Sequence, residues 1–208
     1  MEEINIHIHR RDLRIYDNTA INNTPFLKKP IFIFDPIQID KNKNKYFSNN
    51  LVQFLCESLL ELNNEYNGKL QFFYGNTIDV LKDIFSKNCI KSISFNKDYS
   101  PFSKKRDNSI DKICLNYSVK VNNFEDMLLE PIESRKSLSP TSKNPYKVFT
   151  PFLKNLQRFN VKKCTSNNML FDEKKIVSKY SIDSSKLKDF FTKNTNLHVK
   201  PGRKEALK

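Results

Sequence analysis

The chain has 208 residues, 38% of them apolar and 12% aromatic, enough for one good-sized domain or one domain plus an extension. No apolar run approaches the length that spans a bilayer, and "MEEINIHIHRR" opens on acids unlike a signal peptide, so a soluble protein of the cytoplasm or nucleus is expected. The net charge of +13 is mostly Lys scattered along an Asn-rich chain, which permits contact with phosphate but names no function.

The first predicted element is a strand, "INIHIH" (4–9), which alternates and then stops abruptly at "RRDLRIYDN". Asp17 or Asn18 is placed to cap a short helix over "NTAINN". "PIFIFDP" (30–36) is continuous, β-branched and aromatic between two prolines, the pattern of a strand buried on both faces. "NNLVQFLCESLLELNNEY" puts Leu51, Phe54, Leu55, Leu59 and Leu62 on one helical face, with Ser48 or Asn49 as cap. Three further strands read as "LQFFYG" (70–75), "IKSISFN" (90–96) and "YSVKVNN" (117–123). Between them lie "NTIDVLKDIF", with Thr77 as cap and Ile78, Leu81 and Phe85 inward, and "SKKRDNSIDKICLN", with Ile110, Ile113 and Cys114 inward.

Strands alternating with helices predict an α/β fold: a Rossmann-like five-stranded parallel sheet with helices on both faces, occupying residues 1–125. Residues 126–200 read as a partly helical linker that needs a surface to lie on. It holds one short helix near 145–160, with Pro151 in its first turn and Phe149, Phe152, Leu153, Leu156 and Phe159 as a stripe. "PGRKEALK" (201–208) has the look of a helix opening.

In such sheets, ligands meet the loops beyond the carboxyl ends of the strands. "HRRDLR" is the loop leaving the first strand, so its charges stand at the sheet rim. The mixture Arg10, Arg11, Asp12 and Arg14 has two readings there, both expected to hold for different arginines: Asp12 pairs with one arginine to fix the loop, and another arginine meets a phosphate, carboxylate or flavin-like ring. Asp35 and Asp98 end the second and fourth strands at the same rim. Together these make a ligand pocket without a nucleophile or base, so no catalytic residue is assigned. His7 and His9 share one strand face at a spacing that suits a metal, but no third ligand is near in sequence, so no metal site is assigned. With three glycines the chain cannot write a dinucleotide fingerprint or a phosphate loop, and no G-x-S-x-G elbow occurs. Cys56, Cys89, Cys114 and Cys164 form no metal-ligand pattern and read as buried or free thiols.

"HRRDLRIYDNTAI" resembles the first-strand signature of the DNA photolyase/cryptochrome family, and "FIFDP", "FYGNTIDVL", "DYSPFSKKRD" and "NPYKVFTPFLKN" follow in that family's order. The resemblance implies an N-terminal, antenna-binding α/β domain plus the interdomain linker, with "PGRKEALK" at the entrance to a helical FAD-binding domain. It implies an antenna chromophore at His9, Arg10 and Arg11 after strand one, Phe34 and Asp35 after strand two, and Asp98 after strand four. In folate-binding members a Glu three residues before the "RD" pair holds the pterin. Here Ser103 stands at that place, which favours a deazaflavin or flavin antenna. The resemblance further implies light-driven repair of UV-induced pyrimidine dimers in damaged DNA, the lesion being flipped toward FAD. FAD belongs to the C-terminal domain, so these residues read as a truncated or split chain, inactive alone, whose partner is a second chain carrying that domain. Two other readings stand beside this one: a stand-alone nucleotide- or chromophore-binding module, and a cryptochrome-like signalling fragment. The chain has no tryptophan, so the family's tryptophan electron-transfer chain has no place in it.

Overall fold

The computed structural model describes residues 2–24, 27–128, 130–131, 138–161, 163 and 170–208. Cys164 lies outside the described residues. The predicted strands form as β1 (Ile4–His9), β2 (Lys29–Phe34), β3 (Gln71–Tyr74), β4 (Ile90–Asn96) and β5 (Lys120–Phe124), joined in order β5-β4-β1-β2-β3 with every pairing parallel. A sixth strand that the periodicity did not foretell, β6 (Ser181–Ile182), pairs antiparallel with β3 at the edge. It is two residues long, too short to show alternation.

The helices follow the apolar spacing, with local corrections. Asn18 caps α1 (Thr19–Asn22), its side chain accepting from the Ile21 amide at 3.2 Å. Ser48 caps α3 (Asn49–Glu65), and Ser100 caps α5 (Pro101–Asn116), where Pro101 takes the first turn. At α4 (Thr77–Lys87) the cap is Asn76 and not Thr77; the Asn76 side-chain Oδ1 accepts from the Ile78 and Asp79 amides. Thr77 is left free to serve Asp35, as described below.

Two clusters cover the sheet. One joins Ile4, Ile6 and Ile8 of β1 to Val80, Leu81 and Ile84 of α4 and to Ile110, Ile113 and Cys114 of α5. The other joins Phe32, Phe34 and Phe72 to Val52, Cys56, Leu59 and Leu62 of α3. The predicted face of α3 therefore splits. Residues 52, 56, 59 and 62 recur at i, i+4, i+7 and i+10 and carry the core. Leu51 and Phe54 lie one strip over, 62% and 39% exposed.

The segment expected as a linker lies on this same domain over much of its length. Phe171 meets Tyr66 edge-on at 4.5 Å, Ile176 enters the first cluster, and Leu187 of the 3-10 helix Ser184–Phe190 enters the second. Asn49 and Gln53 of α3 tie Thr192 and Asn194 by backbone hydrogen bonds. Tyr180 packs so closely on Gly75 that a Cβ there would stand 2.8 Å from the ring. The short α2 (Pro36–Ile39), α6 (Phe149–Leu156) and α7 (Arg203–Ala206) complete the described helices. On α6, Phe149 and Leu153 of the predicted stripe are exposed. No described helix is long and apolar enough to cross a membrane.

Candidate functional site

Strand order reverses at β1: the chain builds β2 and β3 on one side of it, then crosses to β4 and β5 on the other. Loops leaving β1 and β4 therefore diverge and open a crevice at the carboxyl rim of the sheet. A cavity of about 450 Å³ occupies that rim, within the range of small-molecule sites of roughly 300–1,000 Å³. One wall is apolar: Ile39, Leu51, Phe54 and Leu55, with Leu13. The opposite wall carries His9, Arg10, Arg11, Asp98 and Arg106. A smaller, more polar hollow of about 260 Å³ adjoins it, sharing Arg10, Arg11 and Asp98 and adding Arg14, Lys97 and Asp126.

The signature loop is organised by Asp12. Its carboxylate accepts from the Arg10 amide at 2.9 Å, from Asn18 Nδ2 at 2.9 Å and from Asn96 Nδ2 at 2.6 Å. Asn96 in turn donates to Asn18 Oδ1 and accepts from the Ala20 amide, so one carboxylate joins β1, α1 and β4. Arg14 ion-pairs with Asp126 at 2.8 Å. Both residues thus hold the fold; Asp12 fixes the loop, but through a backbone amide and two Asn side chains and not through the expected arginine pair, the arginine side chains going to Asp107, Asp98 and Asp126 instead.

His9 is buried, with Nε2 2.7 Å from the Tyr66 hydroxyl and Nδ1 3.2 Å from the Asp12 carbonyl. Burial pulls its pKa below the ordinary histidine value against the opposing charge and carbonyl of Asp12, with a smaller push from Arg14. Burial drives His7 further down, and His9, Lys28 and Arg10 add to the effect. His7, His9 and Asp12 bring ligand-type atoms within 4.8 Å of one another, so, contrary to expectation, a third donor does lie near in sequence, three residues after His9. Its carboxylate oxygens are already taken by the three donors above.

Arg11 is the most open of the cluster, its side chain 70% exposed and its Nε 3.2 Å from Asp98 Oδ2. Burial alone would raise the Asp98 pKa, yet Ser103, the Ser100 amide and Arg11 hold it below the usual carboxylate value. Ser103, at the folate-determining place, is buried and donates to Asp98 at 2.9 Å. It braces the rim and offers no carboxylate.

Two expected residues at the rim do not line the cavity. Phe34 is in the second core cluster, with its ring 5.1 Å from that of Phe190. Asp35 caps α2 through the Ile37 amide and accepts from the Thr77 amide and hydroxyl at 3.1 and 3.0 Å, fastening β2 to α4. Four of the six positions (His9, Arg10, Arg11 and Asp98) meet at the cavity. The apolar wall and Arg106 went unassigned by motif reading. Their signal was present: α3 carries a wider apolar arc than its core contact needs, and α5 places an arginine among its inward turns.

A family model described as DNA photolyase matches residues 5–168. Cryptochrome-1 of Anopheles gambiae is 31% identical over 62% of this chain and 26% of its own length. Cryptochrome-1 of Aedes aegypti is 31% identical over 56% of this chain and 23% of its own. The crystal structure of an archaeal photolyase from Sulfolobus tokodaii, described with two FAD molecules and a novel light-harvesting cofactor, superposes with TM-score 0.82 at 32% identity. It covers 99% of this chain and 45% of that one. A bacterial class III photolyase from Agrobacterium tumefaciens, at 20% identity and TM-score 0.76, shares the fold. The chain therefore spans about a quarter of the curated relatives and under half of the solved photolyases.

Proposed function

The chain belongs to the DNA photolyase family, and from that premise we propose that it forms the light-harvesting part of a photolyase acting on UV-induced pyrimidine dimers. The observation that carries this reading is the rim cavity, walled by exposed Leu51 and Phe54 on one side and by arginines on the other. A flat heteroaromatic ring with a polar edge fits such a pair of walls: apolar side chains cover its faces, and guanidinium donors take its oxygens. Buried Ser103 in place of a carboxylate favours a flavin or deazaflavin over a folate. A chromophore of that kind, when bound, supplies absorption of near-UV and blue light for transfer to FAD. The FAD itself is contributed by a helical region outside these 208 residues, on the same polypeptide or on a second one.

The chain's own residues do the holding. Leu51, Phe54 and Leu55 exclude water from the ring faces. Arg11, braced by Asp98, closes the open side. Asp12, Asn18 and Asn96 fix the loop that presents the arginines. Cryptochrome-type light signalling is the second reading, favoured by the two cryptochromes among the relatives.

Two measurements test this. An absorption band above 350 nm in the purified chain, or after incubation with riboflavin or a deazaflavin, is expected; its absence removes the antenna assignment. Co-expression with a polypeptide carrying the helical FAD region should restore dimer-bearing DNA under blue light. Light-dependent association without repair would favour signalling, and neither would end both readings.

A further inference from the structure

Arg10 and Arg106 reach the same wall of the cavity from different elements, the loop after β1 and helix α5. They share one carboxylate: Arg10 Nη1 stands 3.0 Å from Asp107 Oδ2, and Arg106 Nε stands 3.1 Å from Oδ1. Both side chains are deeply placed, 9% and 13% exposed. Arg10 also donates to the Asn96 carbonyl at 3.4 Å and lies 3.8 Å over the Phe95 ring. Even so, each guanidinium keeps one nitrogen, Nη2, buried and without an acceptor among the described residues.

The charges point the same way. Two cations share the half-buried Asp107 carboxylate, because Asp98 is engaged by Arg11 and Asp111, a turn further along α5, is exposed; Asp12 adds only its charge to Arg10, its oxygens being held by other donors. A buried donor left unmade is costly, and more so when it is charged. A second arginine would be an expensive way to balance Asp107, which Arg10 already satisfies. Arg106 lines the cavity, so a small turn of its guanidinium brings the unpaired nitrogen to an acceptor there.

We propose that Arg10 and Arg106 form an acceptor subsite in the rim cavity, taking carbonyl or anionic oxygens of the bound chromophore; this rests on the reading of the cavity as a chromophore site. Two parts of a flavin-type molecule offer that chemistry: the dione edge of the ring and a phosphate tail. The subsite, not the exposed Arg11, then sets which chromophores the cavity accepts.

The test uses the full chain and its Arg106→Met and Arg106→Lys variants, with riboflavin, FMN and inorganic phosphate as probes. Arg106→Met should weaken flavin binding at least about tenfold, with the urea midpoint unchanged or raised. Arg106→Lys, charged but unable to fork, should fall between. Equal losses for riboflavin and FMN identify the ring edge; loss of the FMN advantage over riboflavin identifies the phosphate. Affinities within twofold of the original chain, or loss of binding together with a lowered midpoint, would overturn the proposal. If the original chain binds neither flavin, the chromophore reading fails, and phosphate decides the subsite separately. A phosphate-induced rise in midpoint that Arg106→Met lacks upholds it, and equal responses overturn it.

Discussion

The rim has two halves built on different principles. Around Asp12 the carboxylate, Asn18 and Asn96 close on one another. Around the cavity less is answered: Leu51 and Phe54 are exposed, and Arg10 and Arg106 each keep a buried Nη2 without an acceptor among the described residues. A satisfied network fixes one geometry, and an unsatisfied wall offers itself to something else. The family signature "HRRDLRIYDN" spells mostly the first half. It is a motif about making a loop stand still, and the residues that would read a ligand lie largely outside it.

That contrast can be broken first at Asp12. Asp12→Ala leaves Asn18, Asn96 and the Arg10 amide without their shared acceptor, and about 3 kcal/mol of stability should go. In a domain of this size that is a fall in Tm of roughly 6–12 °C, read by calorimetry. If stability changed by less than a third of that, Asp12 would not be the organiser described here. Asp35→Ala should behave alike, by about 2 kcal/mol, because it loses the α2 cap and both Thr77 donors. Flavin affinity should be largely spared.

The buried histidines sharpen the satisfied half through pH. Their folded pKa values lie below 6.5, the value of the unfolded chain. Above pH 6.5 both states are neutral and the histidines add no pH dependence. As pH falls below 6.5 the unfolded chain takes up protons that the folded one refuses, so stability drops. The slope is at most about 1.4 kcal/mol per pH unit for each histidine. Urea unfolding at pH 7.5, 6.0 and 5.0 should show the decline, and His7→Gln should flatten it. An unchanged slope in that variant would place His7 outside the effect.

The smallest effect on stability should come from the open half. Leu51→Ala removes an exposed side chain and should move the urea midpoint by less than about 0.5 kcal/mol. It should nonetheless weaken flavin binding several-fold, because the side chain covers a ring face. A large stability loss with binding intact would reverse the contrast.

How much of this the sequence disclosed follows the same division. β1 and β4 are legible to the residue because six or seven positions alternate or run apolar between clear breaks. β6 is not, since two polar-flanked residues carry no period and pair only because β3 offers an open edge. Thr77 looked like a cap from its local spacing, but Asp35, 42 residues away, claims both its donors. Phe34 and Asp35 end a strand at the rim, yet side-chain direction sends the first into the core and the second to two helix starts. The α3 stripe was visible, but its division into core strip and cavity wall depends on where the helix axis settles on the sheet. The segment from residue 126 on reads as a linker in want of a surface, and part of that surface is this same domain, where Phe171 meets Tyr66.

The central claim, that the rim cavity takes a flavin-type ring against the α3 wall, can be tested with a single fluorophore. The chain has no tryptophan, so Phe54→Trp places a unique one at the cavity, and Leu115→Trp places one on exposed α5 as a control. Titration with riboflavin should quench the Phe54→Trp emission saturably and much more strongly than that of Leu115→Trp. Absence of saturable quenching at Phe54→Trp, or equal quenching of both, would contradict the account.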